Sequence, residues 1–407
     1  MKTVGLIVEY NPLHNGHAYH FQAAREQTGA AAAIAVMSGH FLQRGEPAIT
    51  NKWARAEMAL HLGIDLVLEL PFVYAARNAE QFAYGAVSIL HATGVVDTLC
   101  FGSESGDISW MMPLAKHLAE EPALFQQALR LALSSGTSYP AAYAHAVNVL
   151  LAGLPDLRSK VNVSEPNNIL GLNYCMALAR LQSPIVPVTV QRSKAGYHQP
   201  VITDHAIASA TAIRRIIRES GDLSDIRPYV PGTTYGILQR EKLAGRFPVT
   251  WDQFYPYLLA QIITRGPDEL AAIFEMGEGL ENRVYKQTMQ TSAFEQLLHA
   301  LKTKRYTWNR LQRTLLYILL NLTEDKMKHA GTAPAYIRVL GFTEQGRMLL
   351  KQMKETCSLP IITRIGQNRH PMLTLDIRAG EMYAIGLPAA VRDKEKQREF
   401  WQSPLQV

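Results

Sequence analysis

Two histidines three residues apart, His14 and His17, stand with Gly16 between them, directly after the run Val4-Gly5-Leu6-Ile7-Val8-Glu9-Tyr10-Asn11-Pro12-Leu13. Val4, Leu6, Ile7 and Val8 read as a short, fully buried parallel strand. Asn11-Pro12 is a turn signal, and a helix is expected from His17 to about Thr28. A strand that turns into a helix start is a place where phosphates bind, because free backbone N–H groups and the helix dipole point outward there. Two histidines at this spacing share one helical face and can both donate to one phosphate. In-line displacement at phosphorus needs donors around oxygens that gain charge, and little covalent help from the protein. Zinc chemistry is disfavoured, since no nearby third or fourth ligand accompanies the pair. Ser-His-Asp hydrolysis lacks its G-x-S-x-G elbow. The pair therefore points to nucleotidyl transfer, with His14 and His17 stabilising a departing pyrophosphate.

Other residues offer partners for that phosphate. Ser209 and Thr211 are good N-cap types at the start of an expected helix through Arg218, a second anion site of the same physical kind. Gly102, in Phe101-Gly102-Ser103-Glu104, follows an expected strand and would let an adenine or ribose lie against the backbone. Ser164-Glu165-Pro166-Asn167-Asn168 sets two amides at a helix start, able to bond ribose hydroxyls or the α-phosphate. Arg192 follows the expected fifth strand and could clamp phosphate oxygens. Further on, Lys302, Lys304, Arg305, Arg310 and Arg313 interleave with Tyr306 and Trp308, a pattern of cations for phosphates and rings for unstacked bases.

The elements that must position these groups alternate in the first two hundred residues. Strands are expected at Ala31-Met37, Leu66-Leu70, Asp97-Phe101 and Ile185-Gln191, with helices at Lys52-Leu62, Ala79-Ala92 and from Pro166 to about Leu181. Such alternation predicts a parallel α/β sheet of Rossmann-like type, with a helical insertion over 107–152. After Gly232 the texture becomes mainly helical, as in Tyr255-Thr264 and Arg310-Leu322. Leu359-Ile365 and Met372-Ile377 read as short strands of a small α/β end. The expected division is a nucleotidyltransferase domain over 1–220 and a basic helical domain over 221–407.

With 407 residues the chain exceeds one ordinary core, and 47% hydrophobic content describes a globular protein. No apolar run reaches the roughly 18 to 20 residues of a membrane span, and the N-terminus enters the first strand without room for a leader. Three cysteines, Cys100, Cys175 and Cys357, have neither metal-like nor disulfide-like spacing, which fits a reducing cytoplasm. Charge is unevenly placed: residues 1–200 carry 13 Lys/Arg against 14 Asp/Glu, whereas residues 201–407 carry 28 against 21. The basic excess of the second half points to a polyanion such as RNA.

Taken in order, E-Y-N-P-L-H-N-G-H, F-G-S-E, S-E-P-N-N-I-L-G, S-A-T-A-I-R-R and the K-R-Y-T…R-L-Q-R run resemble the bacterial tRNA(Met) cytidine acetate ligase family, within the nucleotidyltransferase superfamily that includes class I aminoacyl-tRNA synthetases. The resemblance covers nearly the whole chain. It implies ATP-dependent activation of acetate to acetyl-adenylate and pyrophosphate, then acetyl transfer to N4 of the wobble cytidine of elongator tRNA(Met). It implies ATP as cosubstrate, with Mg2+ held mainly by the phosphates and no metal bound by side chains. ATP contacts would fall on Ile7, Val8, Glu9, Tyr10, Asn11, Pro12, Leu13, His14, Asn15, Gly16, His17, Ala18, Tyr19 and His20, on Gly102, Asn167 and Arg192, and on Ser209 and Thr211 in place of a K-M-S-K-S loop. Asn167 and Asn168 are alternatives for the same contact. Two other readings stand beside it: a small-molecule adenylyltransferase of the pantetheine-phosphate or nicotinate-mononucleotide type, and a non-catalytic RNA-binding protein. A base for the acetyl-transfer step is not identifiable from the residues alone.

Overall fold

Strand β1 (Thr3–Val8) lies between two parallel neighbours, β2 (Ala32–Ser38) on one side and β4 (Thr98–Ser103) on the other. Beyond them β3 (Leu66–Leu70) pairs with β2 and β5 (Val186–Gln191) pairs with β4, all parallel. The order β5-β4-β1-β2-β3 is doubly wound, so the connections leave β1 in opposite directions and open a crevice at the carboxyl ends of β1 and β4. This computed structural model describes residues 1–154, 157, 163, 165–192, 208–367 and 370–407. Ser164, in the motif that opens the helix at Pro166, lies outside them.

Side chains alternate across the sheet. Ala32, Ile34 and Val36 of β2 face one core with Leu66, Leu68 and Leu70 of β3; Ala33, Ala35 and Met37 face the other with Val4 and Leu6 of β1. The second core takes the helices Asn15–Thr28, Lys52–Leu62 and Ala210–Ser220, so the two predicted phosphate-binding helix starts share one face of the sheet. The opposite face carries three helices over the expected insertion, Met111–Ala119, Ala123–Ser134 and Tyr139–Leu151, and most of the second-half helices.

The expected small α/β end joins this same sheet. β6 (Ile337–Phe342) pairs antiparallel with β3, and β7 (Ile361–Ile362) and β8 (Leu405–Gln406) pair parallel with β6. Leu359-Ile365 thus shrinks to a two-residue strand. Met372-Ile377 is a helix, Pro371–Ile385, not a strand. Pro371 fits a first helical turn, and the buried Met372, Leu375, Asp376, Ala379 and Tyr383 recur at helical spacing, which the short apolar alternation concealed.

A buried ionic cluster fastens the C-terminal segment to the sheet. Lys52 reaches Glu69 of β3 at 2.7 Å and Glu399 at 2.9 Å, while Arg338 of β6 pairs with Glu69 at 3.3 Å and with Glu399 at 2.6 Å. Burial alone would push the Glu399 carboxyl up, but Arg338, Lys52 and His40 outweigh it and hold it below the usual carboxylate range. Desolvation and Glu69 raise nearby Asp376 to about 7, where it accepts hydrogen bonds from the Phe72 N–H at 2.7 Å and from the Tyr336 hydroxyl.

Candidate active site

A cleft of about 270 Å³ opens at the switch point of the sheet. Ile7, Val8 and Glu9 at the end of β1 and Phe101 and Gly102 at the end of β4 form its floor, and the helix starts at His14 and Ser209 face into it. The loop after β2 supplies Gln43, Arg44 and Glu46 as a further wall.

His14 is the N-cap of the Asn15–Thr28 helix and His17 its third residue, and together they build a reciprocal capping box. The Gly16 N–H donates to His14 Nδ1 at 3.1 Å, and the His14 N–H donates to His17 Nδ1 at 3.3 Å. Serine and glutamate usually fill these two positions. Because each Nδ1 accepts from a backbone N–H, each neutral ring must carry its proton on Nε2. The rings stack with centroids 3.7 Å apart. Burial first, then Arg192 and Arg214, lower His14 to about 3; burial, His14, Arg192 and His20 hold His17 well below its usual range. Two neutral Nε2–H donors, their tautomer set by the backbone and their neutrality by burial, line the cleft.

The opposing wall is built on the Ala210–Ser220 helix. Ser209 caps it, accepting the Ala212 N–H at 3.1 Å, which leaves the hydroxyl hydrogen for a ligand. Arg214, one turn on, donates to the Asn11 carbonyl at 2.9 Å and pairs with Glu46 at 3.1 Å, tying this helix to both the β1 turn and the Gln43–Glu46 loop. Arg192 crosses Gly102: a Cβ there would stand 3.1 Å from Arg192 Cγ, so glycine leaves the arginine room. Arg192 Nη1 also reaches Asn167 Oδ1 at 3.5 Å. Glu104 receives the Asn167 side-chain amide at 2.6 Å and the Asn168 N–H at 2.8 Å, fixing the start of that helix. Asn167 lines the cleft, whereas Asn168 is fully buried and accepts the Ser105 N–H at 3.1 Å.

Within the Ile7–His20 run, Ile7, Val8, Glu9, Tyr10, Asn11, His14, Gly16, His17, Tyr19 and His20 line the cleft. Pro12, Leu13, Asn15 and Ala18 are not among its lining. Leu13 is packed into the core, and the Asn15 side chain donates away to the Pro228 carbonyl at 2.9 Å. Gly102, Asn167, Arg192, Ser209 and Thr211 join the same cleft. Arg214 and the Gln43–Glu46 loop stand outside the residues expected from sequence. Arg214 sits three residues after Thr211 on the same helical face, and the loop follows the strand beside β1, so both carry a readable signal.

The basic run divides by burial. Lys304 and Arg305 are exposed, with Arg305 paired to Glu278. Lys302 lies 5.7 Å from the half-exposed Trp308 ring and Arg310 lies 4.8 Å over Tyr306. Arg313 departs from the surface expectation: only 7% of it is exposed, because the Trp308–Leu319 helix turns that face inward against Gly45. Among the described residues no three His, Cys, Asp or Glu side chains converge as a metal site, and the Glu46 carboxylate is engaged by Arg214. Neutral donors, two helix starts and an arginine around one cleft suit an anionic transition state at phosphorus.

Sheet order, switch-point cleft and paired histidines define a nucleotidyltransferase of the HIGH class, and the HIGH Nucleotidyl Transferase family model matches residues 1–399. Within that class, the chain belongs to the tRNA(Met) cytidine acetate ligase family. A relative of that name from Geobacillus sp. is 41% identical with both chains wholly covered, and one from Bacillus licheniformis is 43% identical over 100% of this chain and 97% of its own. Two crystal structures of Thermotoga maritima TmcAL, each 35% identical with both chains wholly covered, superpose with TM-scores of 0.92 for an apo form and 0.91 for a form bound with alpha-thio ATP.

Proposed function

We propose that this chain binds ATP in the switch-point cleft, activates acetate as acetyl-adenylate with release of pyrophosphate, and passes the acetyl group to N4 of the wobble cytidine of elongator tRNA(Met). The observation that carries the reading is the His14–His17 capping box, which aims two neutral Nε2–H donors where a leaving pyrophosphate gains charge. Acetate is a carboxylate nucleophile at neutral pH, so the first step needs orientation and charge neutralisation rather than a strong base. Ser209, Thr211 and Arg192 hold the triphosphate, Asn167 and Gly102 the nucleoside side, and Mg2+ enters on the phosphates. Lys302, Lys304, Arg305 and Arg310 meet the tRNA backbone, in the cytoplasm where tRNA is modified.

Incubation with ATP, radiolabelled acetate and tRNA tests the reading. Label should enter RNA as N4-acetylcytidine only when ATP is present. ATP-independent labelling, or none with unmodified tRNA(Met), sinks it.

A further inference from the structure

Acylation of a cytosine amine needs an acceptor for the N4 proton, and the cleft offers few. His14 and His17 use Nδ1 as acceptors of backbone N–H groups, so both present hydrogens rather than lone pairs to the cleft. His20 also lines the cleft and its Nε2 takes no hydrogen bond among the described residues, but burial and then Arg192 lower it to about 4, which leaves a weak base. Two carboxylates line the cleft, Glu9 and Glu46. Glu46 is held by Arg214 at 3.1 Å and 3.4 Å. Glu9 remains.

Its placement is rigid. The buried Arg55 guanidinium donates to the Glu9 carbonyl at 2.6 Å and the Ser38 carbonyl at 3.1 Å, locking the ends of β1 and β2 together. Glu9 Oε1 accepts the Gln43 N–H at 2.8 Å and the Ser38 hydroxyl at 3.3 Å, and Oε2 takes no hydrogen bond among the described residues. The same Gln43 sends its side-chain amide to the Arg77 carbonyl at 3.0 Å. Two residues on, Gly45 rests against Arg313 at the end of the basic run. The loop that anchors Glu9 is thus packed against the Trp308–Leu319 helix, which follows the exposed Lys304 and Arg305.

The geometry points to Glu9 as the group that receives the cytosine N4–H, first as hydrogen-bond acceptor and then as proton acceptor. A carboxylate is the usual reader of the cytosine exocyclic amine, so one contact selects the base and drains its proton. This inference rests on the acetyl-transfer reading above. In the step, N4 attacks the acetyl carbonyl carbon and the N–C bond forms. The C–O bond to phosphate then breaks, AMP leaves with that electron pair, and the N4 proton passes to Glu9 Oε2. The charged and titratable groups that bear on Glu9 are Glu46 and Arg44 of the loop and Arg55 of the Lys52–Leu62 helix; burial and Glu46 raise its pKa, and the Gln43 N–H, Arg44 and Arg55 oppose them.

Transfer is measured from preformed acetyl-adenylate to tRNA(Met) under single turnover, so that ATP binding does not enter. Glu9→Gln should slow transfer by about 100-fold or more, and the rise of rate with pH expected of the wild type should disappear; Glu9→Asp should recover part of the rate and restore the pH dependence. A Glu9→Gln rate within about three-fold of wild type, at odds with the general-base range, or an unchanged pH profile, overturns the role of Glu9. A wild-type enzyme that moves no acetyl group from acetyl-adenylate to tRNA overturns the functional reading itself, a result separable from either of these.

Discussion

Gly45 packs directly on the backbone of Arg313: a Cβ on Gly45 would lie 2.6 Å from the Arg313 nitrogen. The two residues are far apart in the chain, yet they join the wall of the switch-point cleft to the helix that follows Lys302, Lys304 and Arg305 and carries Arg310. Arg44 and Glu46, on either side of Gly45, both line the cleft. Gly45 also has φ 81°, a left-handed conformation that favours glycine. Gly45→Ala should cost about 1–2 kcal/mol from backbone conformation and push the loop off the helix. Acetylation of tRNA should then fall more than adenylate formation, as separate assays of the two half-reactions would reveal. Equal losses would mean that the loop serves ATP alone.

The capping role of His14 and the catalytic role proposed for it are separable. His14→Ser keeps an N-cap acceptor but loses the Nε2–H donor, and His14→Ala loses both. Adenylate formation should drop by about 10²–10³ in either variant, the range for removal of one transition-state donor. Thermal unfolding should distinguish them, with the alanine variant about 1 kcal/mol less stable than the serine variant. tRNA affinity should stay near wild type in both.

His14 also sets an acid limit. Its folded pKa of about 3 lies below the ordinary value of 6.5, so below pH 6.5 the unfolded chain binds a proton that the folded chain refuses. Stability from this group is full above pH 6.5 and is lost progressively as pH falls toward 3. At about pH 5 the loss should be about 2 kcal/mol. Denaturant melts of wild type and His14→Ser should diverge by that amount between about pH 7 and about pH 5.

Charge reversal of Lys304 and Arg305 should weaken tRNA binding and flatten its dependence on salt, the slope falling by about one for each phosphate no longer neutralised. ATP-dependent adenylate formation should not change. Filter binding across a salt series reads both affinity and slope, and an unaltered slope would place the RNA surface elsewhere.

The buried cluster around Glu399 predicts asymmetry between partners. Glu399→Gln leaves Lys52 and Arg338 short of a counter-charge at 0% and 3% exposure, and should cost about 3–5 kcal/mol. The C-terminal segment with β8 should open first, as hydrogen exchange at Gly341 and Phe342, the register partners of Leu405 and Gln406, would report.

Residues that carry their information locally were legible in the chain. The apolar runs of β1 to β5, the turn at Asn11-Pro12, the i,i+3 histidines and the N-cap types at Ser209 announce themselves through short-range sterics and hydrogen bonding, and the residues they mark meet at one cleft. Long-range packing supplied the rest. Nothing near Ile337–Phe342 says that it pairs antiparallel with β3, because strand partners are chosen by the whole topology. Arg313 and Arg305 look alike in sequence, but helix orientation buries one and exposes the other. The protonation of His14 and His17 follows the same logic. Spacing brings the rings together and the capping box fixes their tautomer, whereas their neutral state comes from burial beside Arg192, with Arg214 adding to it at His14, residues whose proximity exists only once the sheet has closed the cleft.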